Sequence, residues 1–198
     1  MEFNSLYKDI KYIEYSDYEI DHNHNVNILN ELKYVMSCAH KNNLDVIVTG
    51  AIGCVIHTSK IFRTISDIDI IVSKKDIKQW FQLLSDRYEY LYHRDLKPLH
   101  FLKNIIELEE AIKFRNKENP KILIEVAFRD KKNFQRLASK YKIFEKEFKE
   151  FNIKYIFLQK LFPLINHSIN YTRKKDKDDI NFYLQFIKYE ELLPNSIS

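Results

Sequence analysis

Two glycines serve the whole 198-residue chain, and they stand three positions apart, at Gly50 and Gly53. Glycine permits left-handed backbone and the close approach of another group, so an isolated pair marks backbone that tolerates no side chain. An apolar run at 44–49 precedes the pair and reads as a short buried strand; 51–59 reads as a helix. Fourteen residues after Gly53 comes Asp67-Ile68-Asp69-Ile70-Ile71-Val72, a second strand. Side chains alternate along a strand, so Asp67 and Asp69 share one face while Ile68 and Ile70 fill the other.

The rest of the pattern extends this unit. Val26, Ile28, Leu29, Leu32, Val35, Met36 and Ala39 recur at helical spacing ahead of Asn42-Asn43, which ends that helix. Residues 1–24 are polar and tyrosine-rich and read as an arm or an irregular entry. Residues 60–66 form a loop. Ser73 or Asp76 is placed to cap a helix over about 76–86, with Ile77, Trp80, Phe81 and Leu84 inward. Residues 88–93 alternate as a strand. Residues 111–115 and 121–128 flank Asn116-Lys117-Glu118-Asn119-Pro120 as a β-hairpin. From about 131 the chain reads as mainly helical, with helices at 155–167 and 178–189. This order suits an α/β (α+β) chain with a mixed sheet and a C-terminal helical segment, divided near 135–150.

Apolar residues make up 45% of the chain and charged residues 30%, of mixed sign, which excludes wholesale disorder. The formal charge of +4 permits an anionic ligand but lacks the clustered excess of a dedicated DNA binder. Two cysteines, Cys38 and Cys54, in apolar surroundings make no disulfide framework and suit a reduced cytosol. No apolar run approaches the length of a membrane span, and the first residues lack the regions of a signal peptide.

Chemistry concentrates around the acids. Two adjacent carboxylates repel unless a cation lies between them, and Mg²⁺ is commonly held by one or two carboxylates plus substrate phosphates. The bland alternative for Asp67 and Asp69 is a solvated acidic face. Val48-Thr49-Gly50-Ala51-Ile52-Gly53 places amide groups at a helix start, where phosphate binds with help from the helix dipole. It lacks the third glycine or the Gly-Lys-Ser/Thr of better-known phosphate loops. Glu125 interrupts the apolar strand at 121–128, where a lone carboxylate calls for a metal, a base or water. His22 and His24 lack a third partner for zinc, and Cys54 lacks a paired base, so both read as structural.

Gly50-Ala51, Arg63 and Asp67-Ile68-Asp69-Ile70 together resemble the signature of the nucleotidyltransferase superfamily, the DNA polymerase β-like fold. Arg173-Lys174-Lys175-Asp176-Lys177-Asp178-Asp179-Ile180 is similar to a segment of small lincosamide and aminoglycoside nucleotidyltransferases and of abortive-infection-type toxins. One departure is Ala51, where the family has Gly or Ser. The resemblance covers 44–72 and 121–128 well and 153–187 loosely. It implies a mixed β-sheet flanked by helices, with an arm at 1–25, a catalytic core at 26–140 and a helical segment at 141–198. It implies catalytic and metal-binding roles for Asp67, Asp69 and Glu125 toward Mg²⁺, with Glu125 taking the acceptor's proton. Thr49, Gly50, Ala51, Arg63, Ser66, Arg173 and Lys175 would face the nucleotide, with Asp176 and Asp179 orienting the cations of their own segment.

The implied activity is NMP transfer from an NTP, ATP first, to a hydroxyl of an aminoglycoside- or lincosamide-like small molecule, in the cytoplasm, with a homodimer allowed. Two alternatives stand beside it: transfer to RNA such as a tRNA 3′ end, or an inactive relative that binds nucleotide or a partner protein.

Overall fold

The computed structural model describes residues 10–15, 18–95, 110–129, 138–143, 146–151 and 174–185. The chain enters through a short strand β1 (Lys11–Tyr12) and a long helix α1 (His22–Lys41). Then follow β2 (Val46–Thr49), α2 (Gly50–Thr58), β3 (Lys60–Ile61) and β4 (Asp67–Ser73). One 3₁₀ turn leads into α3 (Ile77–Ser85), and β5 (Tyr88–Asp95), β6 (Glu110–Asn116) and β7 (Leu123–Arg129) come next. The last described elements are β8 (Ala138–Ile143), β9 (Lys146–Phe151) and α4 (Lys174–Leu184).

Among the described residues, seven strands form one mixed sheet in the order β5-β6-β7-β4-β2-β9-β8. The central β4 lies antiparallel to β2 and parallel to β7, and β6 returns antiparallel to β7. The apolar alternation of β4 decides which face is the core. Ile68, Ile70 and Val72 lie level with Ile124, Val126 and Phe128 of β7, and all six are buried. Ile28, Leu29, Leu32 and Val35 of α1 and Trp80 and Leu84 of α3 complete the same cluster. Burying a side chain of this size contributes about 1.5–3 kcal/mol, so this face dominates stability. The odd-numbered residues of β4 therefore project to the opposite face, and the acids are among them.

Several expectations change. Helix α1 begins at His22, four residues before Val26, because Asp21 caps it by accepting a 2.8 Å hydrogen bond from the His24 amide. Val26 is exposed, as it lies off the apolar stripe. The described part of the entry segment is joined to the fold: β1 pairs in parallel with β3, and the Lys11 and Ile13 amides donate 2.9 Å bonds to the carbonyls of Ser59 and Ile61 respectively. Neither Ser73 nor Asp76 makes a side-chain cap; the 3₁₀ turn supplies the entry to α3 instead. The region after 131, read as mainly helical, contains β8 and β9, which extend the sheet from β2. Lys140-Tyr141-Lys142-Ile143 alternates with period two, and here that pattern outweighs the charge content. Helix α4 starts at Lys174 rather than 178, and the helix expected at 155–167 lies outside the described residues. No described helix is long and apolar enough to cross a membrane.

Candidate active site

The site is built on one row across the sheet. Thr49 of β2, Asp69 of β4, Glu125 of β7 and Lys113 of β6 are register partners in succession, and Tyr92 of β5 continues the row. Register partners point to the same face, so Glu125 stands on the same side as both aspartates. Asp67 lies on that face two residues before Asp69.

Gly50 sets the closeness of the acids to the start of α2. Its φ is +64°, and a Cβ at this position would lie 1.9 Å from Asp69 Oδ2. The glycine thus serves twice: it makes the left-handed turn from β2 into α2, and it leaves space for the Asp69 carboxylate against the backbone. The N-terminal amides of α2 and the Asp69 carboxylate therefore border one small region. Gly53 falls inside α2, not in the turn. Thr49 occupies the N-cap position without a side-chain cap bond, and half-buried Ala51 follows Gly50 in the first turn.

Asp67 is held from two sides. Ser66 Oγ donates to its Oδ1 at 2.7 Å, and Lys113 Nζ donates to its Oδ2 at 2.9 Å. Burial by itself would raise the Asp67 carboxyl. The hydrogen bonds from Lys113 and Ser66 and the charges of Lys113 and Lys175 outweigh burial and hold it below the usual carboxylate range. Burial likewise pulls the Lys113 ammonium down, but its bond to Asp67 and the charges of Asp67 and Glu125 leave it raised. Lys113 Nζ is also 3.8 Å from Glu125 Oε2.

Among the described residues, no three His, Cys, Asp or Glu side chains converge closely enough to enclose one ion. The acids share a face, but the Lys113 ammonium stands between Asp67 and Glu125. The donor set still fits Mg²⁺ held by Asp67 and Asp69 and completed by phosphate oxygens, since this ion rarely relies on a cage made wholly of protein.

The segment ahead of Asp67 is clamped by α1. Asn25 accepts from the Ile65 amide at 2.8 Å and donates to the Arg63 carbonyl at 3.3 Å. His24 Nε2 lies 2.9 Å from the Ile65 carbonyl, which gives that histidine a structural place. Arg63, expected to face the nucleotide, is buried and turned to α4. Its Nε and Nη2 make a two-pronged pair with Asp179 of α4 at 2.6 and 2.8 Å, with Asp179 0% exposed and Arg63 6% exposed. Asp179 orients Arg63, so the two distant motifs meet in one contact.

An aromatic cluster reinforces that contact. Phe62 and Phe182 have ring centroids 4.2 Å apart, and Tyr15 meets both at 5.3 Å. Burial, then Asp178, pushes the Tyr18 hydroxyl up to about 12, and Lys174 Nζ lies 5.5 Å from the Tyr18 ring. Helix α4 is thereby fixed with Lys175 near enough to Asp67 to act on its charge. Arg173 lies outside the described residues.

Lys113 is the site residue that sequence reading missed. A signal existed: Lys113 and Glu125 stand six residues on either side of Asn119, the middle of the hairpin loop, and so face each other.

Neither a protein-family model nor a curated protein matches the sequence. Solved structures do match. The solution structure of the antibiotic-resistance factor ANT(2'')-Ia aligns over 85% of this chain and 88% of its own, with a TM-score of 0.63 and 8% identity. ANT(2'')-Ia in complex with adenylyl-2''-tobramycin aligns over 82% and 91%, with a TM-score of 0.58 and 11% identity. The lincosamide antibiotic adenylyltransferase LnuA with lincomycin bound aligns over 80% and 97%, with a TM-score of 0.56 and 14% identity. At these identities the likeness concerns architecture. The mixed sheet and its flanking helices form a nucleotidyltransferase-like fold.

Proposed function

We propose that this chain is a Mg²⁺-dependent nucleotidyltransferase, which moves NMP from an NTP, ATP in the first instance, to a hydroxyl of a small molecule and releases pyrophosphate. The observation that carries this reading is the shared face of Asp67, Asp69 and Glu125, with Asp69 set against Gly50 at the start of α2.

Each residue has a distinct task. Asp67 and Asp69 would hold the ion together with triphosphate oxygens, and Ser66 fixes the rotamer of Asp67 through its 2.7 Å bond. When bound, Mg²⁺ supplies charge neutralisation on the phosphates and polarises the phosphorus centre. The amides of Gly50 and Ala51, in the first turn of α2, would bind the phosphates with help from the helix dipole. The acceptor oxygen forms its bond to the α-phosphorus while the bond to the pyrophosphate oxygen breaks. Glu125 takes the acceptor's proton, for which a carboxylate level with Asp69 is suitably placed. Lys175 offsets charge on the departing pyrophosphate. Arg63 is a positioning residue, acting through Asp179 to keep α4 and Lys175 in place. Little beyond positioning and charge is required of the protein for this reaction.

The likeness to structures that carry tobramycin and lincomycin chemistry supports an aminoglycoside- or lincosamide-like acceptor, and with it a role in antibiotic resistance. The decisive experiment incubates the full chain with each α-labelled NTP, Mg²⁺, and separate pools of aminoglycosides, lincosamides and RNA. Label on a small molecule is the expected result. Label on RNA alone would overturn the acceptor assignment, and no transfer from any NTP would overturn the enzyme assignment.

A further inference from the structure

Lys113 introduces a positive charge where the proposed reaction needs a metal ion. Its Nζ is 2.9 Å from Asp67 Oδ2 and 3.8 Å from Glu125 Oε2, and its side chain is only 14% exposed. The lysine comes from the middle of β6, an interior strand between β5 and β7, so its stem is anchored while its ammonium is carried on rotatable bonds. We infer that Lys113 is a built-in competitor of the divalent cation, holding Asp67 until the ion replaces its ammonium and thereby setting how tightly the site takes up metal. This inference rests on the reading of Asp67 and Asp69 as metal ligands.

The physical basis is that one carboxylate oxygen serves one contact cation well. An ammonium hydrogen-bonded to Asp67 Oδ2 and a Mg²⁺ about 2.0–2.1 Å from the same oxygen would repel each other strongly. Three carboxylates share this face, and without any cation their mutual repulsion would destabilise the empty site. Lys113 relieves that repulsion in the absence of metal. Displaced, its ammonium can turn toward the triphosphate that arrives with the ion, where its charge is again compensated. The lysine should therefore oppose binding of the bare ion and favour binding of the ion with its nucleotide. A lysine that only braces the fold would produce neither effect in this combination.

The test uses the full chain and Mn²⁺ alone, followed by electron paramagnetic resonance of the free ion, with Mg²⁺ competition. An opposite charge in contact is worth 1–3 pK units to a carboxylate, so Lys113→Met should tighten Mn²⁺ about tenfold or more. Lys113→Arg, which keeps the charge, should stay close to the parent chain. With Mn²⁺ and a non-hydrolysable NTP together, Lys113→Met should bind the nucleotide more weakly than the parent. Mn²⁺ affinity within twofold of the parent, or weaker, in Lys113→Met overturns the inference. If that variant does not fold, Lys113→Gln carries the same expectations. A further readout needs no variant: the Lys113 side-chain ammonium resonance should move on addition of Mg²⁺, and an unmoved signal overturns the inference. Failure of the metal reading is distinguishable, since the parent chain and Asp67→Asn would then bind Mn²⁺ equally poorly. Mn²⁺ binding that is lost in Asp67→Asn but unchanged in Lys113→Met refutes the role of Lys113 alone.

Discussion

Two groups of charged side chains lie on opposite faces of the same sheet, and they contrast an acid that joins elements with the acids of the proposed site. On the helix-covered face, Glu31 of α1 is 4% exposed and accepts from several donors. Asn116 Nδ2 donates at 3.0 Å, Arg87 Nη2 at 2.9 Å, and the Tyr88 hydroxyl also donates to it. One carboxylate there is surrounded by donors. On the other face two acids meet one cation: Asp67 and Glu125 share the ammonium of Lys113, Asp69 stands on the same face, and Lys175 acts on the charge of Asp67. A buried acid surrounded by donors holds elements together. The acids of the other face are the ones that, on the proposed function, receive a metal ion.

The largest effect expected from this contrast is on turnover. Asp67→Asn combined with Asp69→Asn should reduce NMP transfer by roughly 10³-fold or more, since loss of metal-based charge stabilisation costs several kcal/mol. Circular dichroism should show the fold retained; substantial turnover in the double variant would abolish the distinction between the two faces. Glu31→Ala should do the reverse, costing about 3 kcal/mol of stability by leaving buried donors without an acceptor. Most of that loss belongs to Tyr88 and Asn116, because Arg87 is partly open to solvent. Its Mn²⁺ affinity should be unchanged, and a weakened ion site would mean that the faces are coupled.

Arg63→Lys tests the link between them. A lysine keeps the charge but cannot make the two-pronged bond to Asp179, so α4 should loosen. The KM for NTP should rise several-fold with Lys175 misplaced, and Lys175→Ala added to Arg63→Lys should have little further effect; full additivity would remove Arg63 from the positioning role.

The two faces should also answer to opposite ends of the pH scale. Asp67 is lowered in the fold, so its contribution is present above the usual carboxylate pKa of about 4 and is lost as pH falls through its lowered value. Burial first, then the hydrogen bond and charge of Glu31, push the Tyr88 hydroxyl up. Its contribution is present below the unfolded tyrosine pKa of about 10 and is lost as pH rises above it. Urea midpoints across pH should therefore show an alkaline loss that Tyr88→Phe reduces and an acid loss that it leaves intact. The smallest effect is Ser66→Ala, expected to change stability by about 1 kcal/mol or less while lowering turnover modestly; a large loss of stability would make Ser66 a structural residue.

Much of the fold was legible because period two is hard to disguise in β4, β6 and β7, whose apolar residues alternate against charged ones. The hairpin loop at 116–120 and the turn at Gly50 were equally clear. What escaped were facts of register and partnership. Arg63 reads as a phosphate ligand when only sequence distance is considered, yet its partner Asp179 is 116 positions away and no local pattern names it. Lys113 looked like one charge in a strand of mixed character, since its meaning depends on which residue of β7 faces it. The charged alternation of 138–151 fits a surface helix nearly as well as an edge hairpin, and only the open side of β2 decides between them. The tyrosines before α1 show no periodicity to read: Tyr15 and Tyr18 both meet Phe62, 47 and 44 positions further on.

The turn at Gly50 gives the site a weak point smaller than any of its acids. One added methyl group there would strike Asp69 at 1.9 Å and strain a backbone already at +64°, with every carboxylate still in the sequence. A chain of this architecture with an intact pair of aspartates but any larger residue at that bend would show the acidic motif in its sequence while the carboxylate of Asp69 had lost its place.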